Sequence, residues 1–161
     1  MNNSIKRSGH AIVRSHNKFL LLRKNYGNPD NWHCPGGMKK SGENRLNAAI
    51  RETYEETGCK VAPLKQVYED EYVKYFLCKK YGGHAHIKSH EIKEVKWFAL
   101  DEVKALKESG RLKGCRVEWF ELDNSNRINA DKNNGYLCLG CSAPRKTEDK
   151  ICPYCGRGFR K

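Results

Sequence analysis

Glu52, Glu55 and Glu56 are the residues of this 161-residue chain whose type and spacing most directly imply chemistry. Spacings of i, i+3 and i+4 put three carboxylates on one face of a helix, where they repel one another unless a cation compensates them. Hard oxygen donors suit Mg²⁺ or Mn²⁺ better than soft metals, and a divalent ion held by carboxylates is a common clamp for substrate phosphates. A second group, Cys138-Leu139-Gly140-Cys141 and Cys152-Pro153-Tyr154-Cys155, sets two C-x2-C pairs ten residues apart. Four thiolates in that pattern imply a tetrahedral Zn²⁺ site with no open position, which is a structural rather than a catalytic metal.

The acidic face needs a helix with a second, apolar face to hold it on a core. Leu46, Ala49, Ile50 and Thr53 fall at i, i+3, i+4 and i+7 and supply one. Ser41 and Gly42 offer capping and turn chemistry before the helix, and Gly58 is placed to stop it. Arg51 lies one turn before Glu55 and can pair with it, or reach back toward Glu43 and pin the preceding loop. Upstream, Asn31-Trp32-His33-Cys34-Pro35-Gly36-Gly37 combines a large aromatic, a rigid proline and two glycines. The glycines permit a tight turn in which backbone carbonyls approach a ligand closely, and Trp32 is expected to pack beneath that turn.

Written as Gly37, five residues, Glu43, seven residues, then Arg51-Glu52-Thr53-Tyr54-Glu55-Glu56-Thr57-Gly58-Cys59, this stretch resembles the signature of the Nudix hydrolases. All seven fixed polar and glycine positions match, and at a ~7% background for each residue such agreement arises by chance roughly once in a hundred million starting points. Thr53 and Cys59 stand where the family prefers apolar residues. The resemblance implies an α/β fold, the Nudix α/β/α sandwich with a mixed sheet, and hydrolysis of a nucleoside diphosphate linked to some group X. It implies Mg²⁺ or Mn²⁺ held by Glu52, Glu55, Glu56 and the carbonyl of Gly36. It also implies a general base, with Glu52 the first candidate and Glu91 the second. Arg51 would orient the glutamates, and Glu43 would hold the loop. Glu94 is the nearest rival of Glu91 for the role of an acidic residue approaching from outside the signature helix.

The remaining chain supplies a scaffold. Ala11 to Arg14 and Phe19 to Leu22, separated by Ser15-His16-Asn17-Lys18, read as a β-hairpin; Val61 to Leu64, Gln66 to Tyr68 and Tyr72 to Cys78 read as further strands. Tyr72 and Tyr75 are expected on opposite faces, one of them lining the substrate pocket. Among the loop histidines His84, His86 and His90, His86 is a candidate contact to substrate phosphate. The segment from His90 to Val103 resembles the last strand and following helix of Nudix domains, with Asp101 expected to cap a helix from Glu102 to about Ser109. Residues 115 to 122 fit either a strand or a short helix. Cys34, Cys59, Cys78 and Cys115 lack ligand spacing and read as small core residues.

Length and composition give the organisation. Residues 1–122 are expected to form the Nudix domain, the asparagine-rich stretch 123–135 a linker, and 136–161 a zinc ribbon whose folding energy the metal supplies. No apolar run reaches membrane-spanning length, and MNNSIKRSGH lacks the apolar core of a signal peptide, so a soluble cytoplasmic protein with no membrane partner is expected. A formal net charge of +12 favours polyanionic partners. A nucleoside diphosphate derivative is the expected substrate and RNA a candidate partner, because basic residues interleave with Tyr136, Tyr154 and Phe159 in the ribbon. The alternative is a catalytically silent Nudix-fold module that only binds a nucleotide or RNA. Retention of the helix glutamates argues against it.

Overall fold

The computed structural model describes residues 5–122, 136–137 and 144–145. The linker and the four ribbon cysteines Cys138, Cys141, Cys152 and Cys155 lie outside the described residues.

The alternating apolar runs at the N-terminus form strands β1 (Ser8–Ser15) and β2 (Lys18–Lys24), paired antiparallel as a hairpin. His16 and Asn17 both take positive φ, 47° and 61°, at its turn, and the twist of such a turn matches that of the flanking strands. The short β3 (Gly36–Met38) continues the same side of β1, with His10 opposite Gly36. On the other side β1 runs parallel to β5 (Val73–Gly82), which pairs antiparallel with β4 (Lys60–Glu69). Strand β6 (Ile92–Ala99) completes the mixed sheet against β2, giving the order β4-β5-β1-β2-β6. Helix α1 (Arg45–Thr57) follows β3, while α2 (Leu100–Glu108) and the short α3 (Val117–Phe120) follow β6. Tyr136–Leu137 and Pro144–Arg145 form a separate antiparallel pair.

The period of two along each strand divides the core between the two faces of the sheet. Ala11, Val13, Leu20, Phe76 and Cys78 face the side covered by α1, where Ala49 is fully buried and Leu46 and Ile50 pack partly buried. Ile12, Phe19, Leu21, Tyr75 and Leu77 face the other side, covered by Val103 and Leu106 of α2 and Phe120 of α3. This is the α/β/α layering that the resemblance implied. Trp32 packs in the second core with its ring edge-on to Phe98. The four isolated cysteines are free and buried. Among the described residues no helix is long and apolar enough to cross a membrane.

Two helix starts differ from expectation. The cap of α1 is Asn44, whose side-chain oxygen accepts from the Asn47 N–H at 2.7 Å, and Ser41 and Gly42 belong to the turn before it. Helix α2 begins at Leu100, with the Glu102 carboxylate reaching back to the Ala99 N–H at 2.7 Å, so Asp101 sits in the first turn instead of capping it. In both cases the side chain three residues from the open N–H had the better geometry. Residues 117–120 resolve as helix, not strand.

Candidate active site

Helix α1 carries the acidic face, and the β3 loop is folded against it. Gly58 ends the helix in the left-handed conformation at φ 73°, its N–H bonded to the Tyr54 carbonyl, a position that favours glycine. Thr53 is fully buried yet satisfied, because its hydroxyl donates to the Ala49 carbonyl at 2.7 Å. Cys59 is likewise fully buried. The two departures from the family pattern are therefore absorbed by packing.

Arg51 organises the loop and the helix together. Its Nε and Nη2 donate to the two oxygens of Glu43 at 2.8 and 3.0 Å, Nη1 donates to Glu52 Oε1 and Glu55 Oε2 at 3.0 Å each, and Nη2 also reaches the Met38 carbonyl at 3.0 Å. Both alternatives read from the sequence, the pair with Glu55 and the reach to Glu43, are realised by one side chain. The hydrogen bond from Arg51 lowers the Glu43 carboxyl to about 2, and the same pairing raises the guanidinium above its ordinary value.

Glu52 lies directly on the loop backbone: a Cβ at Gly37 would fall 2.5 Å from its carboxyl carbon. Glu56 is 5% exposed and accepts the Gly36 N–H at 2.8 Å through Oε1. Burial pushes the Glu56 carboxyl up to about 7; the charges of Glu52 and Glu91 push the same way, against the Gly36 hydrogen bond and the Lys24 ammonium. Glu91 is exposed, with its backbone N–H on Ser89 Oγ at 3.2 Å. Its rival Glu94 is committed elsewhere, in an ion pair with Arg23. The charges of Glu52 and Glu91 thus both bear on Glu56, while Glu55 on the same helix is half-exposed.

Hard carboxylate oxygens around an under-compensated buried glutamate suit a divalent cation. The described residues nonetheless contain no preassembled set of three or more His, Cys, Asp or Glu ligands. The Gly36 N–H is bound to a Glu56 oxygen, and Arg51 to oxygens of Glu52 and Glu55.

Two residues escaped sequence reasoning. Lys24, at the end of β2, carries the cation whose charge acts on Glu56. Burial pulls its ammonium down, but Tyr26 together with Glu56 and Glu52 outweighs this and holds it above its ordinary value. His10 stacks on Tyr75 with ring centroids 4.9 Å apart, and burial with the Lys24 and His33 charges lowers it to about 4. The available signal was the Arg23-Lys24 pair closing an apolar strand just before the glycine loop.

Tyr72, Tyr75 and His86, the expected substrate contacts, occupy three different settings. Tyr75 is 5% exposed between His10 and Trp119 and serves the core. Tyr72 is exposed in the turn before β5, where its carbonyl accepts the Ser8 N–H. His86 packs on the Gly58 cap, with Nδ1 2.7 Å from the His84 carbonyl and its N–H on the Thr57 carbonyl.

A family model described as the NUDIX domain matches residues 6–132. An RNA pyrophosphohydrolase of Azorhizobium caulinodans is 32% identical over 104 residues, covering 58% of this chain and 61% of that protein. The chain thus spans about three-fifths of the relative's length. The solved structure of a NUDIX hydrolase from Nitrosomonas europaea superposes with a TM-score of 0.60 at 19% identity, covering 86% of this chain and 92% of the other. An Ap4A hydrolase of C. elegans gives 0.53 at 24% identity, covering 77% and 96%. At these identities the two superpositions show a common fold.

Proposed function

Because this chain belongs to the Nudix hydrolase family, we propose that it is a metal-dependent pyrophosphohydrolase that cleaves the phosphoanhydride at the 5′ end of RNA. The observation that carries the reading is the loop–helix unit in which Glu52 and Glu56 press against Gly37 and Gly36 while Arg51 locks Glu43 to the helix. RNA is favoured over a small nucleotide by the net charge of +12 and by the similarity to a protein named RNA pyrophosphohydrolase.

Glu52, Glu56 and Glu55, with the Gly36 carbonyl, would hold Mg²⁺ or Mn²⁺. When bound, such an ion neutralises the diphosphate and lowers the pKa of a coordinated water. Glu52 engages Arg51 through Oε1, which leaves Oε2 to take the proton of the attacking water. Glu91 is the second candidate for that step. Arg51 fixes the Glu52 rotamer, and Glu43 fixes Arg51. Lys24 adds positive charge beside the carboxylates. Beyond residue 122, the four cysteines would hold a structural Zn²⁺.

The test is phosphate release with Mg²⁺ from triphosphorylated RNA, ADP-ribose, a dinucleoside tetraphosphate and oxidised dGTP, with the Glu56→Gln protein as blank. Preferential turnover of RNA is expected. Turnover of a small nucleotide alone would overturn the RNA assignment. No turnover combined with no Mg²⁺ affinity would make the chain a silent binding module.

A further inference from the structure

A cavity of about 370 Å³ opens on the sheet face that carries α1, at the N-terminal end of that helix. Four cationic side chains, Arg7, Lys39, Arg45 and Lys74, line it above a floor of Leu46 and Phe76. Like charges gathered round one cavity repel and require an anionic partner. Inside the chain that partner is only partly present. Glu69 takes Arg45 Nη2 at 2.7 Å and Lys74 Nζ at 3.6 Å. The Asp70 carboxylate is occupied by the backbone N–H groups of Tyr72 and Val73 and by the Tyr68 hydroxyl. Among the described residues neither Arg7 nor Lys39 forms an ion pair. The first turn of α1 holds no acidic residue, so its N–H dipoles add to the positive field instead of being offset.

The cavity adjoins the catalytic loop. Lys39 stands two residues after Gly37, about 7 Å along an extended chain, and its N–H bonds to the Arg7 carbonyl at 2.9 Å. A chain whose end reacts at Glu52 and Glu56 therefore meets this cluster of cations a short distance further on. An apolar floor between cations suits sugar and base edges flanked by phosphates.

We propose that this cavity receives the sugar–phosphate backbone of single-stranded RNA beyond its second nucleotide, so that Arg7 and Lys39 select long RNA over short substrates. The inference rests on the RNA 5′-end reading above and deepens it.

The test compares wild type with an Arg7→Gln/Lys39→Gln double variant on two substrates, a triphosphorylated dinucleotide and a triphosphorylated 20-nucleotide single strand. For the 20-mer the variant should show KM raised roughly tenfold and a log–log salt slope shallower by about 1.4, the value for two lost phosphate contacts on a single strand. Its kcat, and both constants for the dinucleotide, should be unchanged. An unaltered 20-mer KM and salt slope would overturn the inference, and so would an equal loss on the dinucleotide, which would assign the two residues to the catalytic centre. If wild type hydrolyses neither RNA, the reading of the function fails. The cavity is then judged by fluorescence anisotropy with a 5′-hydroxyl 20-mer: weaker binding by the variant sustains it, and equal binding ends it.

Discussion

Arg51 grips Glu43 through two parallel hydrogen bonds, Nε to Oε1 at 2.8 Å and Nη2 to Oε2 at 3.0 Å, across eight residues of chain. Only a guanidinium can do this and still present Nη1 to Glu52 and Glu55. The pair therefore ties the loop that ends at Glu43 to the orientation of the helix glutamates Glu52 and Glu55.

Arg51→Lys keeps the charge but loses the fork. Its kcat should fall 10- to 100-fold, the usual cost of removing a residue that orients a metal or proton-transfer ligand, with KM little changed. Steady-state kinetics beside circular dichroism decides the matter. A variant with kcat within twofold of wild type would make Arg51 a surface ion-pairing residue only.

The same pair predicts a pH dependence of stability. The Glu43 carboxyl titrates near 2 in the folded chain, below the ordinary 4.5 of the unfolded one. Its contribution is then complete above about 4.5 and fades as pH falls toward 2. Glu43→Gln should lower Tm by a few degrees at pH 7, corresponding to about 1 kcal/mol. That difference should narrow steadily below pH 4.5. Thermal melts of both proteins from pH 3 to 7 measure it, and a constant difference would contradict the assignment.

Glu56 is buried, with the charges of Glu52 and Glu91 acting against that of Lys24, and its replacement separates chemistry from folding. In Glu56→Gln the amide oxygen can still accept the Gly36 N–H, and the fold should persist. Activity should drop on the order of 10³-fold, and Mg²⁺ affinity by isothermal titration should fall with it. Substantial turnover in the variant would remove Glu56 from the site.

The two C-x2-C pairs lead to a prediction read from sequence spacing alone. The purified chain should contain one Zn²⁺ per molecule by elemental analysis, and Cys152→Ser should lose it. Because the thiolates leave no open position, stripping zinc should not abolish hydrolysis of a small nucleotide substrate.

What was legible in the sequence was what local spacing determines. The acidic and apolar faces of α1, its Gly58 stop and the hairpin between Ala11 and Leu22 each depend on residues near one another in sequence and appear as read, with the connection Ser15 to Lys18 tightening to a turn at His16-Asn17. What was not legible depends on register between distant strands. The pairing of β2 with β6 shifts between Arg23 and Lys24. Arg23 is thereby given to Glu94, while the charge of Lys24 acts on Glu56 and Glu52. That shift, invisible in either segment alone, accompanies a Glu94 paired with Arg23 and a Glu91 left exposed. Likewise, nothing in YVKYFLC marks β5 as the parallel neighbour of β1, the pairing that sets Tyr75 opposite His10 and makes it a core residue.

Gly37 offers the sharpest steric test of the site. Its backbone is not in a glycine-only conformation, so a methyl group there costs nothing in backbone strain. That methyl would, however, lie 2.5 Å from the Glu52 carboxyl carbon and 2.6 Å from Oε1, nearer than atoms approach. Glu52 is the far end of a flexible side chain, part-exposed on the helix surface, and can swing away at little cost to stability. Gly37→Ala should therefore melt within a few degrees of wild type yet lose kcat by about 100-fold, because a displacement of about 1 Å in a positioned group is enough for such a loss. If Glu52 serves only the helix surface, Gly37→Ala will retain full activity. A large fall in both Tm and activity would instead show that the loop, not the carboxylate, gives way.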